Sequence, residues 1–380
     1  MDQQKVIVLG AGLVGGPIAA DLAMDKDLNV AVADISKENL GRIKRDDIHR
    51  IQVNLSREKE LQSLIADYDL VVNAVPGFMG FQTLKECIMM SKDVVDIAFY
   101  AEDVLSLSDL AIEKGVRIIA DMGVAPGMSN LLVGYASSRL DKTENVEIYV
   151  GGLPKVRQKP WEYRAVFSPT DVIEEYTRPA RLVEHGQIIT KAALTEVEQI
   201  NFDEVGTLEA FNSDGLRSLM FTIEAENMKE KTLRYPGYAE KVSLLADSGF
   251  FNTEKKEVGG QMISPLDFTS AILFDQWKLG DNEVDLTIMR VVVEGKSEGR
   301  KTRYTYDLYD ERDLQTGVHS MARTTGYAAT MAARLLLQGH YKQKGITVPE
   351  MIGSHHDLVM FMLSGLKDRN ILYRENIKSF

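Results

Sequence analysis

The chain has 380 residues, too many for one compact core, so two domains with an accessory piece are expected. Hydrophobic residues make up 44% and charged residues 26%, the mixture of a folded protein, and the net charge of −12 argues against a nucleic-acid backbone or an anionic membrane as main partner. A single cysteine, Cys87, rules out an internal disulfide and a thiolate metal cluster, and no apolar run reaches the ~20 residues a membrane span needs.

MDQQKVIVLG runs straight into an apolar strand with no basic-then-apolar leader, so a cytoplasmic location is expected. The runs Lys5–Leu9, Val30–Ala33, Leu70–Ala74, Val94–Ile97 and Arg117–Ala120 are short, nearly continuous and mostly β-branched. Helix-period segments such as Glu58–Ala66 and Ala101–Lys114 separate them, the pattern of a parallel sheet buried on both faces. The fold class is therefore α/β, beginning with a Rossmann doubly wound parallel sheet over residues 1–124.

Gly10-Ala11-Gly12-Leu13-Val14-Gly15 follows the first strand and opens the first helix, and Asp34 ends the next strand. In this context Gly10 makes the tight turn, Gly12 lets a pyrophosphate approach the backbone, and Gly15 lets helix and strand pack. The phosphates would lie on the helix N-terminus, where free N–H groups favour anions. Asp34 suits an unmodified ribose diol and repels a 2′-phosphate, which selects NAD as cofactor. Ala74, Val75, Pro76, Asp96 and Gly123 follow later strand ends, which border the ligand crevice of such sheets, although each also reads as an ordinary strand-ending turn.

After Pro126 the texture changes: runs lengthen, alternation is commoner and Gly or Pro turns interrupt often. An α+β domain with a largely antiparallel sheet is expected over residues 125–325. From residue 326 to 380 the sequence reads as helices. Cys87, inside TLKECIMM, reads as a buried small hydrophobe. The six histidines show no metal-ligand spacing, so no metal site is expected.

Asp121-Met-Gly-Val-Ala-Pro-Gly127-Met-Ser-Asn130 resembles the joint between the two domains of the saccharopine dehydrogenase (glutamate-forming)-like family. YVGGLP (149–154), FSPTDVIEEYTRPA (167–180), LEAFNSDGLRSL (208–219), TLRYPGYAEK (232–241) and SMARTTGY (320–327) resemble its lysine 6-dehydrogenase (ε-deaminating) branch, in order along the chain. The resemblance implies a nucleotide domain, then a substrate domain with subunit contacts, then a chain end returning to the nucleotide domain. It further implies a homo-oligomer and NAD-dependent oxidation of the side-chain amine of an amino acid, with L-lysine first. A saccharopine or carboxylated-polyamine substrate is the alternative, and a Rossmann protein that holds NAD without turnover is a third. Tyr238 stands where the branch usually has His, and DIAFYAED differs from a DLGGH-like version.

Amine oxidation requires a proton-handling group beside the reacting carbon. Tyr100 and Asp121 sit at expected strand ends; Tyr100 would relay a proton, and Asp121 would hold the amine or orient water, although Asp121 can equally open an Asx turn. Arg234, on an expected turn before Pro236-Gly237, would grip the substrate carboxylate bidentately, with a surface ion pair as the bland reading. Glu174 or Glu175 with Tyr176 would hold an amino group, while Ser168 and Asp171 read as helix caps. Trp161 and Tyr163 would wall the pocket or seal a core.

Overall fold

The computed structural model describes residues 3–166, 169–280 and 282–380, the side chains of residues 169–171 excepted. Six strands come first: β1 (Gln4–Leu9), β2 (Leu28–Asp34), β3 (His49–Gln52), β4 (Leu70–Asn73), β5 (Asp93–Asp96) and β6 (Arg117–Ile119). Then follow β7 (Lys142–Pro154), β8 (Ala180–Glu184), β9 (Gln187–Lys191), β10 (Glu198–Phe202), β11 (Gly206–Asn212) and β12 (Asn227–Arg234). The last six are β13 (Lys256–Val258), β14 (Gln261–Ile263), β15 (Asp285–Ser297), β16 (Arg300–Glu311), β17 (Gly345–Thr347) and β18 (Tyr373–Ser379). The chain divides into two compact units, one of Met1–Arg139, Phe221–Ile223 and Ala322–Leu372, the other of Leu140–Met220, Glu224–Met321 and Tyr373–Phe380.

The first unit is built on a seven-stranded sheet in the order β17-β6-β5-β4-β1-β2-β3, with every neighbouring pair parallel. Val6 to Leu9 are wholly buried, which is why this strand reads as an unbroken apolar run: helices cover both faces of the sheet. The strand order reverses between β1 and β4, so the turns after those two strands flank the crevice where such sheets bind ligands. Cys87 lies wholly inside this core, where burial, then Asp96 and Glu86, push its thiol up.

The second unit holds a nine-stranded sheet whose main path runs β10-β11-β12-β7-β15-β16-β18, with β8 and β9 attached to β12. It is mostly antiparallel, as the alternation predicts, but mixed: β7 and β12 run parallel from Asn227 against Asn145 to Thr232 against Val150. A short separate sheet pairs β13 with β14.

Two expected boundaries move. The helix Met128–Ser137 belongs to the first unit, where a Cβ on Gly134 would stand 2.2 Å from the backbone oxygen of Glu350, so it packs directly on Pro349–Gly353. The tail is not only helical. β17 extends the parallel sheet beside β6, and Tyr373–Ser379 pairs with β16 in the second unit.

Candidate active site

The glycine loop has the geometry its three glycines demand. Gly10 sits at φ 99°, and a Cβ there would meet Ala74 O at 2.5 Å, so the turns after β1 and β4 touch through bare backbone. A Cβ on Gly15 would stand 2.0 Å from Gly10 O, the close helix–strand approach expected of the third glycine. At Gly12 a Cβ would meet no atom within 4 Å, which leaves the backbone there open to an approaching group. Leu13 is exposed, Val14 caps the helix Gly15–Leu22, and no acidic residue stands in that helix's first turn to oppose an anion.

Asp34 is bound into this loop. Its Oδ2 accepts from Ala11 N at 2.7 Å, and its Oδ1 accepts from Ser36 N at 2.7 Å. Ser36 then caps the helix Lys37–Arg42 through Asn39 N. Of the cations that follow, Arg42 pairs with Glu38 at 2.8 Å and Arg45 with Asp47 at 2.6 Å. An open Gly12, a tight Gly10–Ala74 contact and a fixed acid at the end of β2 fit a nicotinamide dinucleotide.

On the other side of the switch point, Val75 is buried and Pro76 caps the helix Gly77–Met89. Asn73 donates to Gly80 O and to Asp96 Oδ1, both at 3.1 Å. Asp96 also accepts from Ala98 N at 2.9 Å and from the Tyr100 hydroxyl at 3.0 Å. Tyr100 is therefore only 2% exposed, packed on Gly80 and edge-on to Phe81, with its hydroxyl held by Asp96. Met122 N donates to Asp96 O at 3.0 Å, which joins the ends of β5 and β6. Asp121, just before it, is buried in the left-handed region at φ 52°, a strained conformation for a residue with a side chain. Gly123 is equally constrained: a Cβ there would lie 3.0 Å from Pro126 O and 3.2 Å from Thr325 Cγ2.

Arg234 belongs to the second unit, and its expected setting is corrected. It ends β12 rather than lying on a turn, and it is 2% exposed rather than open to a cleft or to the surface. Its guanidinium donates to Glu175 Oε2 at 3.0 Å, Tyr176 Oη at 3.1 Å and Leu233 O at 2.9 Å, and it stacks 4.5 Å above the ring of Tyr163. Tyr238, the tyrosine that follows Pro236-Gly237, closes this box, its hydroxyl 3.0 Å from that of Tyr176. Burial pushes the phenols of Tyr163, Tyr176 and Tyr238 well above their ordinary range, so all three stay protonated. Trp161 and Tyr163 join the same aromatic cluster with Trp277, the core-sealing role of the two readings. Glu174 pairs with Arg178. Helix capping by Ser168 and Asp171 falls outside the described residues and side chains.

One residue was not singled out from sequence. Glu230 is 4% exposed on the same face of β12 as Thr232 and Arg234, and accepts from Ser213 Oγ at 2.7 Å. A Cβ on Gly215 would stand 2.5 Å from its carboxyl carbon. Burial first, then the nearby charges of Glu175 and Asp214, push its carboxyl up to about 8 against the opposing bond from Ser213. The available signal was the i, i+2, i+4 row Glu230, Thr232, Arg234, a polar stripe on one strand face.

Residues 6–119 match the family model described as saccharopine dehydrogenase NADP binding domain, and residues 123–372 the one described as saccharopine dehydrogenase C-terminal domain. The chain is 24% identical to the mitochondrial alpha-aminoadipic semialdehyde synthase of Bos taurus, over 91% of this chain but 45% of that protein, so it spans under half the length of that relative. It is also 24% identical to the NADP(+), L-glutamate-forming saccharopine dehydrogenase of Saccharomyces cerevisiae, covering 91% of this chain and 94% of the other. Carboxyaminopropylagmatine dehydrogenase of a Synechocystis species is again 24% identical, over 91% and 92%. The apo structure of L-Glu-forming saccharopine dehydrogenase from Saccharomyces cerevisiae superposes with a TM-score of 0.82 at 21% identity, covering 99% of this chain and 100% of that one, which is the same fold. With family models matching both parts of its length, this chain belongs to the saccharopine dehydrogenase family.

Proposed function

We propose that this protein is an NAD-dependent dehydrogenase that oxidises a C–N bond of an amino-acid substrate, with the side-chain amine of L-lysine as the first candidate. The observation that carries the cofactor half is the Asp34 carboxylate, fixed by Ala11 N and Ser36 N beside the glycine loop. A fixed anion there accepts from a ribose diol and repels a 2′-phosphate. Arg42 and Arg45 are each engaged by a carboxylate of their own, which further supports NAD although the matched domain and the yeast relative carry NADP in their descriptions. When bound, NAD supplies the hydride acceptor.

Gly10, Gly12, Leu13, Val14 and Gly15 would hold the phosphates, and Ala74, Val75, Pro76, Asp96 and Gly123 would border the remainder of the cofactor. Tyr100 would move the substrate's proton, with Asp96 as the acceptor already on its hydroxyl. Asp121, held in its strained conformation, would orient the amine or the attacking water. Arg234 would act through Glu175, whose carboxylate it holds, rather than on a substrate carboxylate.

A secondary amine such as saccharopine or a carboxylated polyamine is the second reading, favoured by the names of two relatives that match over more than nine-tenths of both chains. The deciding experiment offers L-lysine, saccharopine and carboxylated polyamines with NAD and with NADP and follows reduced-cofactor absorbance. Turnover of L-lysine with NAD is the expected result. Turnover of only the secondary amines moves the protein to the second reading, and no turnover with any amine overturns the enzymatic one.

A further inference from the structure

Glu230, Thr232 and Arg234 share one face of β12, so Lys229 and Lys231 point to the opposite face of the nine-stranded sheet. Cross-strand register carries that second face outward in rows. Glu147, Val292, Thr305 and Asn376 form one row. Two residues along on either side lie Tyr149, Arg290 and Asp307, and Glu294, Arg303 and Lys378. Arg290 is tied to Asp307 at 2.6 Å, which fixes one wall. Val292 and Thr305 are short and stand between rows of long side chains, and the hollow they leave is a cavity of about 420 Å³. That volume falls within the roughly 300–1,000 Å³ of small-molecule sites. None of the lining residues belongs to the site described above.

The two ends of the hollow differ in charge. At one, Arg303 and Lys301 both pair with Glu294. Lys378, beside Arg303 in register, makes no ion pair among the described residues, so three cations cluster around one acid. At the other end, Lys229 is shared between Glu147 at 3.0 Å and Glu198 at 3.2 Å, while Lys231 pairs with Glu198 at 2.8 Å. Glu147, the member of that group that lines the cavity, therefore holds only part of one ammonium. Between the ends the lining is apolar, with Val292, Ile200 and the ring of Tyr149. Arg303 and Glu147 lie two strands and two residues apart, which on a sheet lattice is roughly 12 Å between Cα atoms.

We propose that this hollow binds a free amino acid with a cationic side chain, such as lysine or arginine. Its α-carboxylate lies on Arg303 and Lys378, its aliphatic stem crosses Val292, and its side-chain cation reaches Glu147. The three parts of such a ligand match the three parts of the site in order, and both of its charged ends gain charge-assisted bonds. A carboxylate also relieves the crowding of Lys301, Arg303 and Lys378 around Glu294. A dicarboxylate would set an anion against Glu147, and a diamine would set a cation against Arg303, so neither satisfies both ends. The site stands apart from the proposed dehydrogenase activity and requires no bound nucleotide.

Isothermal titration of the full chain, without nucleotide, tests this with L-lysine, L-arginine, L-glutamate and 1,5-diaminopentane. The two basic amino acids should bind at least tenfold more tightly than the other two. Thr305→Trp fills the hollow and Lys378→Glu reverses the charge at one end, and each should weaken L-arginine binding at least tenfold. Circular dichroism establishes that each variant is folded; Lys378 is exposed, so Lys378→Glu carries the test if Thr305→Trp does not fold. No binding of either basic amino acid overturns the proposal, as does binding that a folded variant leaves unchanged. Light scattering in which Lys378→Glu lowers the mass of the wild-type particle would make this face a protein contact and overturn it too.

Discussion

The Oδ2 atom of Asp34 accepts the backbone amide of Ala11 at 2.7 Å, so the acid at the end of β2 is locked to the loop that opens the first helix. One carboxylate thereby orders the loop and sets the charge beside it. Replacing Asp34 with Ser, together with Ile35→Arg, removes the anion and supplies a cation. The NAD dissociation constant should rise roughly ten- to a hundredfold, the scale of a lost charge-assisted bond of about 1.5–3 kcal/mol, while that for NADP falls. Fluorescence titration of both cofactors measures it, and equal affinity of the unaltered protein for the two would sink the assignment.

The first unit is fastened to its late segment by buried charge. Arg334 donates to Asp21 Oδ2 at 2.7 Å and Asp25 Oδ2 at 2.8 Å, and Arg369 to Asp21 Oδ1 at 2.6 Å. Burial alone would raise the Asp21 carboxyl, but the Arg369 bond and the two guanidinium charges hold it below its ordinary value. Arg334→Met, which leaves Asp21 to Arg369 and Thr330, should cost about 3 kcal/mol in chemical denaturation near neutral pH, the low end for a broken buried pair because one cation stays. A depressed carboxylate stabilises above its unfolded value and loses that contribution as pH falls through the folded one. The gap between wild type and Arg334→Met should therefore narrow only below about pH 4.

Glu230 has the opposite sign. Its raised carboxyl keeps a proton in the folded state that the unfolded chain has already released, so stability should fall as pH rises from about 4.5 towards 8. One fully perturbed group contributes about 1.4 kcal/mol per pH unit over that window. Glu230→Gln keeps the shape and the Ser213 contact without titrating. Its Tm should equal or exceed that of wild type at pH 8 and show a flatter pH dependence. Parallel Tm–pH curves for the two proteins would refute this.

Tyr100→Phe removes one hydroxyl from a closed buried network. NAD affinity should change less than threefold, since the phenol donates inward to Asp96. With the substrate found active above, kcat should drop by 10²–10⁴-fold, with the limb of its pH profile altered, if the hydroxyl moves the proton. A lower Tm with unchanged kcat and pH profile would make Tyr100 a structural tie for Asp96 instead.

What could be read from sequence was whatever is local. Gly10, Gly12, Gly15 and Asp34 lie within one strand–turn–helix–strand unit of the first 34 residues, so their spacing and their places at strand ends are visible in the sequence itself. Asp121 and Gly123 were found as a joint motif, but not the strained backbone of Asp121, which follows from the packing around it. Arg234 was misplaced because Tyr235-Pro236-Gly237 looks like an open turn; the aromatic residues that enclose it come from distant positions such as Tyr163 and Tyr176. Glu230 was passed over because a charged residue in an alternating strand normally faces water, and only the Ser213–Gly215 turn packed over it makes it buried. The pairing of Asp21 with Arg334 has no local signature at all.

The seventh strand of the parallel sheet has a consequence for biosynthesis. β17 pairs Gly345 with Arg117 and Thr347 with Ile119, so the edge beside β6 stays open while residues 140–321, nearly all of the second unit, are being translated. An open parallel edge is a template for wrong pairing, and long-range pairing closes slowly. The nascent protein thus passes through a stage, lasting until residue 347 has left the ribosome, in which its nucleotide-binding sheet is sticky along one side. Chaperone demand should be greatest there, and a stall before β17 should yield aggregates rather than a free-standing Rossmann domain.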